Sequence, residues 1–247
     1  MKRILIIGAT SAIAAACARE WLKTGPCQFV LTGRNRERLQ ALKDDLQARG
    51  ASLVTTLELD ITQQAQHAQI IENSVSNLGQ IDIALVAPGT LPDQLQCQQN
   101  AERAVTEFNQ NATHLIALLT HLANQLEQQR CGQLAVISSV AGDRGRGSNY
   151  LYGAAKAAIS AFCSGLMVRL AKANVSVTII KPGFVRTPMT ADLPLPEKLV
   201  ATPEQVASGI VEGIRKQRPI LYVPGFWRYI MLVIRLIPTA LFRRLSL

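Results

Sequence analysis

Seven short runs of apolar and β-branched residues recur along this chain, at 4–7, 29–31, 53–59, 81–86, 134–137, 175–180 and 220–223. Between them lie longer segments whose apolar residues return at helical spacing, at 12–22, 36–48, 65–76, 101–128, 152–171 and 203–216. Strand alternating with helix implies parallel pairing, because parallel strands need a long crossover rather than a tight turn. The crossovers are right-handed, so the pattern predicts a doubly wound parallel sheet in a three-layer α/β/α arrangement. The runs are almost continuously apolar, as expected of strands covered on both faces. At 247 residues, 48% apolar and 17% charged, the chain can bury a sizeable core, which excludes a disordered or fibrous protein. The alternation is unbroken to about residue 224. The expected division is therefore one α/β domain at 1–224 and a tail at 225–247.

The net charge of +9 is unevenly spread. No acidic residue follows Glu212, whereas seven basic residues do: Arg215, Lys216, Arg218, Arg228, Arg235, Arg243 and Arg244. The remaining 19 basic and 17 acidic residues leave a nearly neutral body. That distribution argues against a nucleic-acid partner. Five scattered cysteines without a C-x-x-C pair exclude a disulfide framework or structural zinc site and suit a reducing compartment. The apolar run after Met1-Lys2-Arg3 stops at Gly8, too soon for a signal peptide, and no stretch reaches the ~20 apolar residues of a spanning helix. His114 and His121 share a helix face, but no third ligand accompanies them, so no metal site is expected.

The first strand runs into Gly8-Ala9-Thr10-Ser11-Ala12-Ile13 and then a helix. A small-residue turn there lets backbone N–H groups and the helix N-terminus meet a pyrophosphate, as in Rossmann-like folds; a plain tight turn is the alternative. Ala12 and Ala14 stand where such loops usually carry glycine. At the end of the second strand, Arg34 and Arg36 occupy the place where an acid would bind a free ribose hydroxyl. Arginines suit a 2′-phosphate instead, so NADP(H) is expected over NAD(H). Asp60 and Ile61 close the third strand. Asp60 either meets the adenine amino group or caps the next helix.

Tyr152 and Lys156 are four apart, hence on one helix face, and Ser139 precedes Tyr152 by thirteen residues at the end of a strand. A nearby ammonium is expected to lower the phenol's pKa so that Tyr152 exchanges a proton near neutrality, while the Ser139 hydroxyl holds a substrate oxygen. Hydride has to come from a nicotinamide, since no side chain supplies it.

With this set in place, the chain resembles the short-chain dehydrogenase/reductase family from end to end. The resemblance assigns catalytic roles to Ser139, Tyr152 and Lys156, and to Asn111 as the helix asparagine, with Asn109 the rival. It also implies that Ala87 and Gly89, after the fourth strand, and Pro182, Gly183, Val185 and Thr187, after the sixth, border the cofactor. Pro88 removes a backbone donor there. The short segment from Pro188 to Thr202 implies a small lid, which suits a substrate whose bulk stays outside. Arg144 and Arg146, between Ser139 and Tyr152, either meet a substrate phosphate or belong to a solvated loop.

The tail, FWRYIMLVIRLIPTALFRRLSL, mixes aromatics, aliphatics and arginines. It suits an interfacial helix on an anionic membrane, or a helix packed on the body or in a dimer. Together with runs 142–149 and 182–189, it resembles the branch containing the reductase subunits of decaprenylphosphoryl-ribose 2′-epimerases, whose members lack an arginine at the position of Arg34. That resemblance implies a lipid-linked 2-keto-pentofuranose substrate, a flavoprotein oxidase partner, a homo-oligomer, and a peripheral place on the cytoplasmic side of the membrane.

Overall fold

The computed structural model describes residues 1–245. Seven strands form one parallel sheet: β1 (Lys2–Ile7), β2 (Cys27–Gly33), β3 (Leu53–Glu58), β4 (Ile83–Val86), β5 (Gln133–Ile137), β6 (Ser176–Pro182) and β9 (Ile220–Val223), in the order β3-β2-β1-β4-β5-β6-β9. A two-residue pair, β7 (Phe184–Val185) with β8 (Val200–Ala201), ties the base of the lid. Each of the seven expected runs falls on a strand of the main sheet. The strand order reverses at β1, between β2 and β4. Crevices at the carboxyl ends of strands beside such a switch point are where doubly wound sheets bind ligands.

Helices cover both faces. On one side, α1 (Ala12–Lys23), α2 (Arg36–Ala48) and α8 (Pro203–Arg215) bury Trp21, Leu39, Leu46 and Ile210 against Ile4, Ile6 and Phe29 of the sheet. On the other, α3 (His67–Leu78), α6 (His114–Gln129) and α7 (Tyr150–Ala171) pack Ile71, Leu119, Leu122 and Ile159 on Leu5, Ile7, Val136 and Val177. Successive strand residues point to opposite faces, so two cores require apolar residues at nearly every position. Among the described residues, α7 alone is long and apolar enough to cross a membrane, contrary to the expectation that no segment would be. Its buried residues Ile159, Cys163, Leu166 and Leu170 instead lie in the second core.

The single helix expected over 101–128 is divided. After a short α4 (Gln94–Gln99), α5 (Ala101–Phe108) passes into a π-helical turn (Asn109–Thr113) before α6. Within that turn Asn111 Nδ2 donates to the Glu107 carbonyl four residues back, at 3.0 Å, and to Thr90 Oγ1 at 2.9 Å.

The tail forms α9 (Trp227–Leu236) and α10 (Thr239–Phe242). Trp227 and Met231 are buried against Val140, with Phe184, Leu199 and Tyr222 around them, so the inner face of the tail packs on the body. Residues 246 and 247, which the sequence reading included in the tail, lie outside the described residues.

Candidate active site

A cleft of about 410 Å³ opens at the carboxyl ends of β1, β4, β5 and β6. Its floor on the β1 side is the turn into α1. Gly8 sits at φ +76°, a conformation glycine adopts without strain, and approaches Pro88 so closely that a Cβ would lie 2.9 Å from its nitrogen. Ser11 N–H closes the turn on the Gly8 carbonyl at 3.0 Å. Ser11 is the N-cap of α1 but makes no side-chain cap bond, and the first turn carries no acid. The helix therefore presents Ala12 and Ile13 to the cleft with no side chain covering its positive end, which fits a dinucleotide's pyrophosphate.

The residues expected on the cofactor side line this cleft with two exceptions. Asp60 does not. Its Oδ1 accepts the Thr62 N–H at 3.0 Å and the Thr62 hydroxyl at 2.9 Å, so it caps its own turn. Those bonds, with the nearby Arg34 charge, hold its carboxyl below the usual range. Leu59 and Ile61 line the wall instead. Arg36 likewise turns outward, to a shallow surface depression with Glu37 and Asp44, while Arg34 and Arg38 face the cleft. Asn35 decides this: as N-cap of α2 it accepts the Arg38 N–H at 2.8 Å and sets the phase of the helix. The third arginine of the run, four residues after Arg34, was the available signal for Arg38.

Ser139 lies two residues past the end of β5 and caps the 3-10 turn Val140–Asp143, its Oγ accepting the Ala141 N–H at 3.0 Å. This turn is pressed onto α7, where a Cβ at Gly153 would lie 2.8 Å from the Ala141 carbonyl. Ser138 fixes the same contact from below, donating to the Lys156 carbonyl at 3.0 Å. Tyr152, one turn into α7, is thereby held beside Ser139, and both line the cleft. Lys156 is 3% exposed, with Nζ 3.3 Å from the Ile137 carbonyl and 5.6 Å from the Tyr152 ring centroid. Gly89 leaves room for the cluster: its Cβ would lie 3.2 Å from Lys156 Nζ and 3.5 Å from Asn111 Oδ1. Asn111 is 1% exposed and sits behind the wall rather than on it, its Oδ1 accepting the Thr90 N–H at 2.8 Å. Asn109 instead bonds Thr113 on the exposed side. Thr90 had no sequence signal, since its role rests on a contact across 21 residues.

The electrostatics of the protein alone differ from the expected lowering of the Tyr152 pKa. Burial pushes the phenol up to about 12, with a hydrogen bond to Ser139 drawing it partly back. Burial also lowers Lys156 to about 8. Desolvation disfavours both charged forms, and here it outweighs their mutual attraction. Tyr152 is thus a protonated hydroxyl at neutral pH, able to donate.

The Lys156 shift has a measurable consequence. The folded chain binds this proton less tightly than the unfolded chain, whose lysine titrates near ~10.4. The burial cost is present in full below pH ~8 and fades between about 8 and ~10.4 as folded Lys156 becomes neutral. Lys156→Met should therefore stabilise the cofactor-free chain at pH 7, by the order of ~3 kcal/mol at ~1.4 kcal/mol per pKa unit. Denaturant titrations should show the gain shrinking across that window. A gain that does not vary with pH would contradict the assignment.

Arg144 and Arg146 do not reach the cleft. Arg144 Nη1 donates to the Ile234 and Ile237 carbonyls at 2.5 and 2.6 Å, and its guanidinium stands 3.7 Å over the Phe242 ring, so it staples the tail. Arg146 is half-buried, and its Nε has no partner among the described residues. The competing demand on Arg144, an uncapped helix end some ninety residues away, is visible only in three dimensions.

A nucleotide-sized cleft at the switch point, with a serine, a tyrosine and a lysine on one wall, defines a nicotinamide-dependent oxidoreductase. Residues 2–198 match the short chain dehydrogenase family, and the chain belongs to that family. Among its relatives is an uncharacterised oxidoreductase of Mycobacterium tuberculosis, 35% identical over 98% of this chain and 96% of the relative. Another is an uncharacterised oxidoreductase of Streptomyces coelicolor, 34% identical over 99% of this chain and 96% of the relative. The crystal structure of levodione reductase shares the fold at TM-score 0.82 and 20% identity, covering 92% of this chain and 98% of that one.

Proposed function

We propose that the chain is a ketoreductase in which Tyr152 donates the proton, Ser139 holds the carbonyl oxygen, and Lys156 with Asn111 sets the charge and position of the donor. The carrying observation is the convergence of Ser139, Tyr152 and Lys156 on one cleft wall. The nicotinamide cofactor supplies the hydride. As the carbonyl carbon accepts it, negative charge develops on oxygen, where the Ser139 and Tyr152 hydroxyls donate hydrogen bonds. Tyr152 then passes its proton to that oxygen.

NADP(H) is favoured over NAD(H), because Arg34 and Arg38 line the cleft where the adenosine ribose belongs. Losing a hydrogen bond to a charged group costs ~1.5–3 kcal/mol. Arg34→Ala should therefore weaken NADPH by at least ~10-fold and leave NADH nearly unchanged in fluorescence titrations. Equal losses would discard the 2′-phosphate assignment.

For the substrate, the favoured reading is a polyprenylphosphoryl 2-keto-pentofuranose, reduced to its arabino epimer after a flavoprotein oxidase has made the ketone. Runs 142–149 and 182–189 and the tail support it by resemblance, and the short lid, with Met189 and Leu193 exposed at its rim, supports a substrate whose bulk remains outside. A homo-oligomer belongs to the same reading. The test combines the purified chain, the oxidase and labelled polyprenylphosphoryl ribose with each cofactor. Arabino product is expected. Its absence, with turnover of a soluble lipophilic ketone, would assign a free-ketone reductase instead.

A further inference from the structure

The tail presents two faces. Inward, Trp227 fills the space that a Cβ at Gly183 would need and meets the Phe184 ring edge-on at 5.1 Å. Gly183 itself lines the cleft, so α9 is packed directly behind that wall. Arg144 and the Phe242 ring clamp the far end. Outward, Tyr229, Leu232, Val233 and Leu236 form a stripe at helical spacing and are 53–73% exposed. Of sixteen exposed large apolar side chains among the described residues, seven fall in 226–245, so the apolar surface is concentrated here. Arg228, Arg243 and Arg244 are exposed around the stripe, while Arg235 sits at its edge beside Tyr222, and the chain has no acid beyond Glu212.

We propose that this outer face docks the chain onto an anionic lipid surface, with the inner face holding the active-site cleft beside that surface. Charge selects this occupant. In a two-fold contact between copies the same arginines would face one another with no acid in the tail to pair them, whereas anionic headgroups complement them. Aromatic and aliphatic groups beside arginine are the composition of interfacial helices. Because α9 is already folded on the body, docking adds little ordering cost. This inference does not depend on the substrate: the surface exists whatever the cleft reduces.

The experiment is flotation of the full chain with phosphatidylcholine vesicles, with and without phosphatidylglycerol. Binding to the anionic vesicles, weakened by salt and absent from neutral ones, is expected. Leu232→Glu with Leu236→Glu should reduce the bound fraction by at least ~10-fold, since each change removes an apolar group from the lipid contact and adds a charge of the headgroups' own sign. Nucleotide binding and thermal midpoint, measured alongside, should be unchanged. No binding to anionic vesicles, or binding indifferent to the double variant, would overturn the proposal. So would a lipid-free dimer that the double variant converts to monomer, which would make the stripe a protein interface.

Discussion

Tyr152→Phe should abolish carbonyl reduction while nucleotide binding persists. The substitution removes one hydroxyl and leaves a ring of nearly the same volume on the same turn of α7, so the cleft keeps its shape. What disappears is the proton donor and one of two hydrogen bonds to the developing oxyanion. A positioned acid contributes ~10²–10⁴-fold, and the loss in kcat should fall in or above that range. Ser139→Ala should lose less, because it removes the holding bond and leaves the proton source. Titration of NAD(P)H into each variant separates binding from chemistry. A Tyr152→Phe chain that still reduces its substrate at more than about a tenth of the parent rate would end the assignment.

Asp143→Ala should destabilise the fold by ~3–5 kcal/mol, the range for breaking a buried ion pair by removing one partner. Asp143 lies at the end of the 3-10 turn that starts just after Ser139. Its carboxylate is 2% exposed, pairs with Lys181 of β6 and accepts the Tyr222 hydroxyl of β9 at 2.7 Å. Burial and the carboxylate push that phenol up to about 12. Alanine would leave Lys181 charged and 9% exposed with no counter-ion among the described residues. For a chain of this size the thermal midpoint should fall by ~6–20 °C. Pairing Asp143→Leu with Lys181→Met should recover much of the loss, since replacing both charges removes the stranded one. Failure of the double variant to recover would mean that the carboxylate matters for the shape of the turn rather than for charge balance.

The fold was legible because its signal is periodic and repeated. Each strand reads as an uninterrupted apolar run, and each crossover supplies a helix long enough to recognise. Much of the site was legible for a similar reason. Tyr152 and Lys156 share a helix face at fixed spacing, and the small residues around Gly8 must follow β1 if a phosphate is to approach the backbone. The misplacements share a different origin. Asp60 had two sequence-compatible partners, and the nearby Thr62 took it. By sequence Arg144 could meet a substrate phosphate or lie in a solvated loop; its guanidinium is instead claimed by the carbonyls at the end of α9. Asn111 rather than Asn109 lies beside Lys156, and its partner Thr90 comes from a loop that sequence does not bring near.

The protonation state of the cleft was also beyond a linear reading. Proximity of an ammonium argued for a lower tyrosine pKa; burial reversed the sign, because desolvation depends on how completely neighbours exclude water. Sequence alone determined the doubly wound sheet, the nucleotide turn, the Ser139–Tyr152–Lys156 set and the concentration of charge in the tail, since each rests on spacing along one element or on composition. Tertiary structure decided which arginines face the cleft, which carboxylates are consumed by capping or pairing, and which face of α9 is left to solvent. Those outcomes are competitions among groups distant in the chain for the same few hydrogen-bonding and buried positions, and only the folded arrangement says which group is near enough to win.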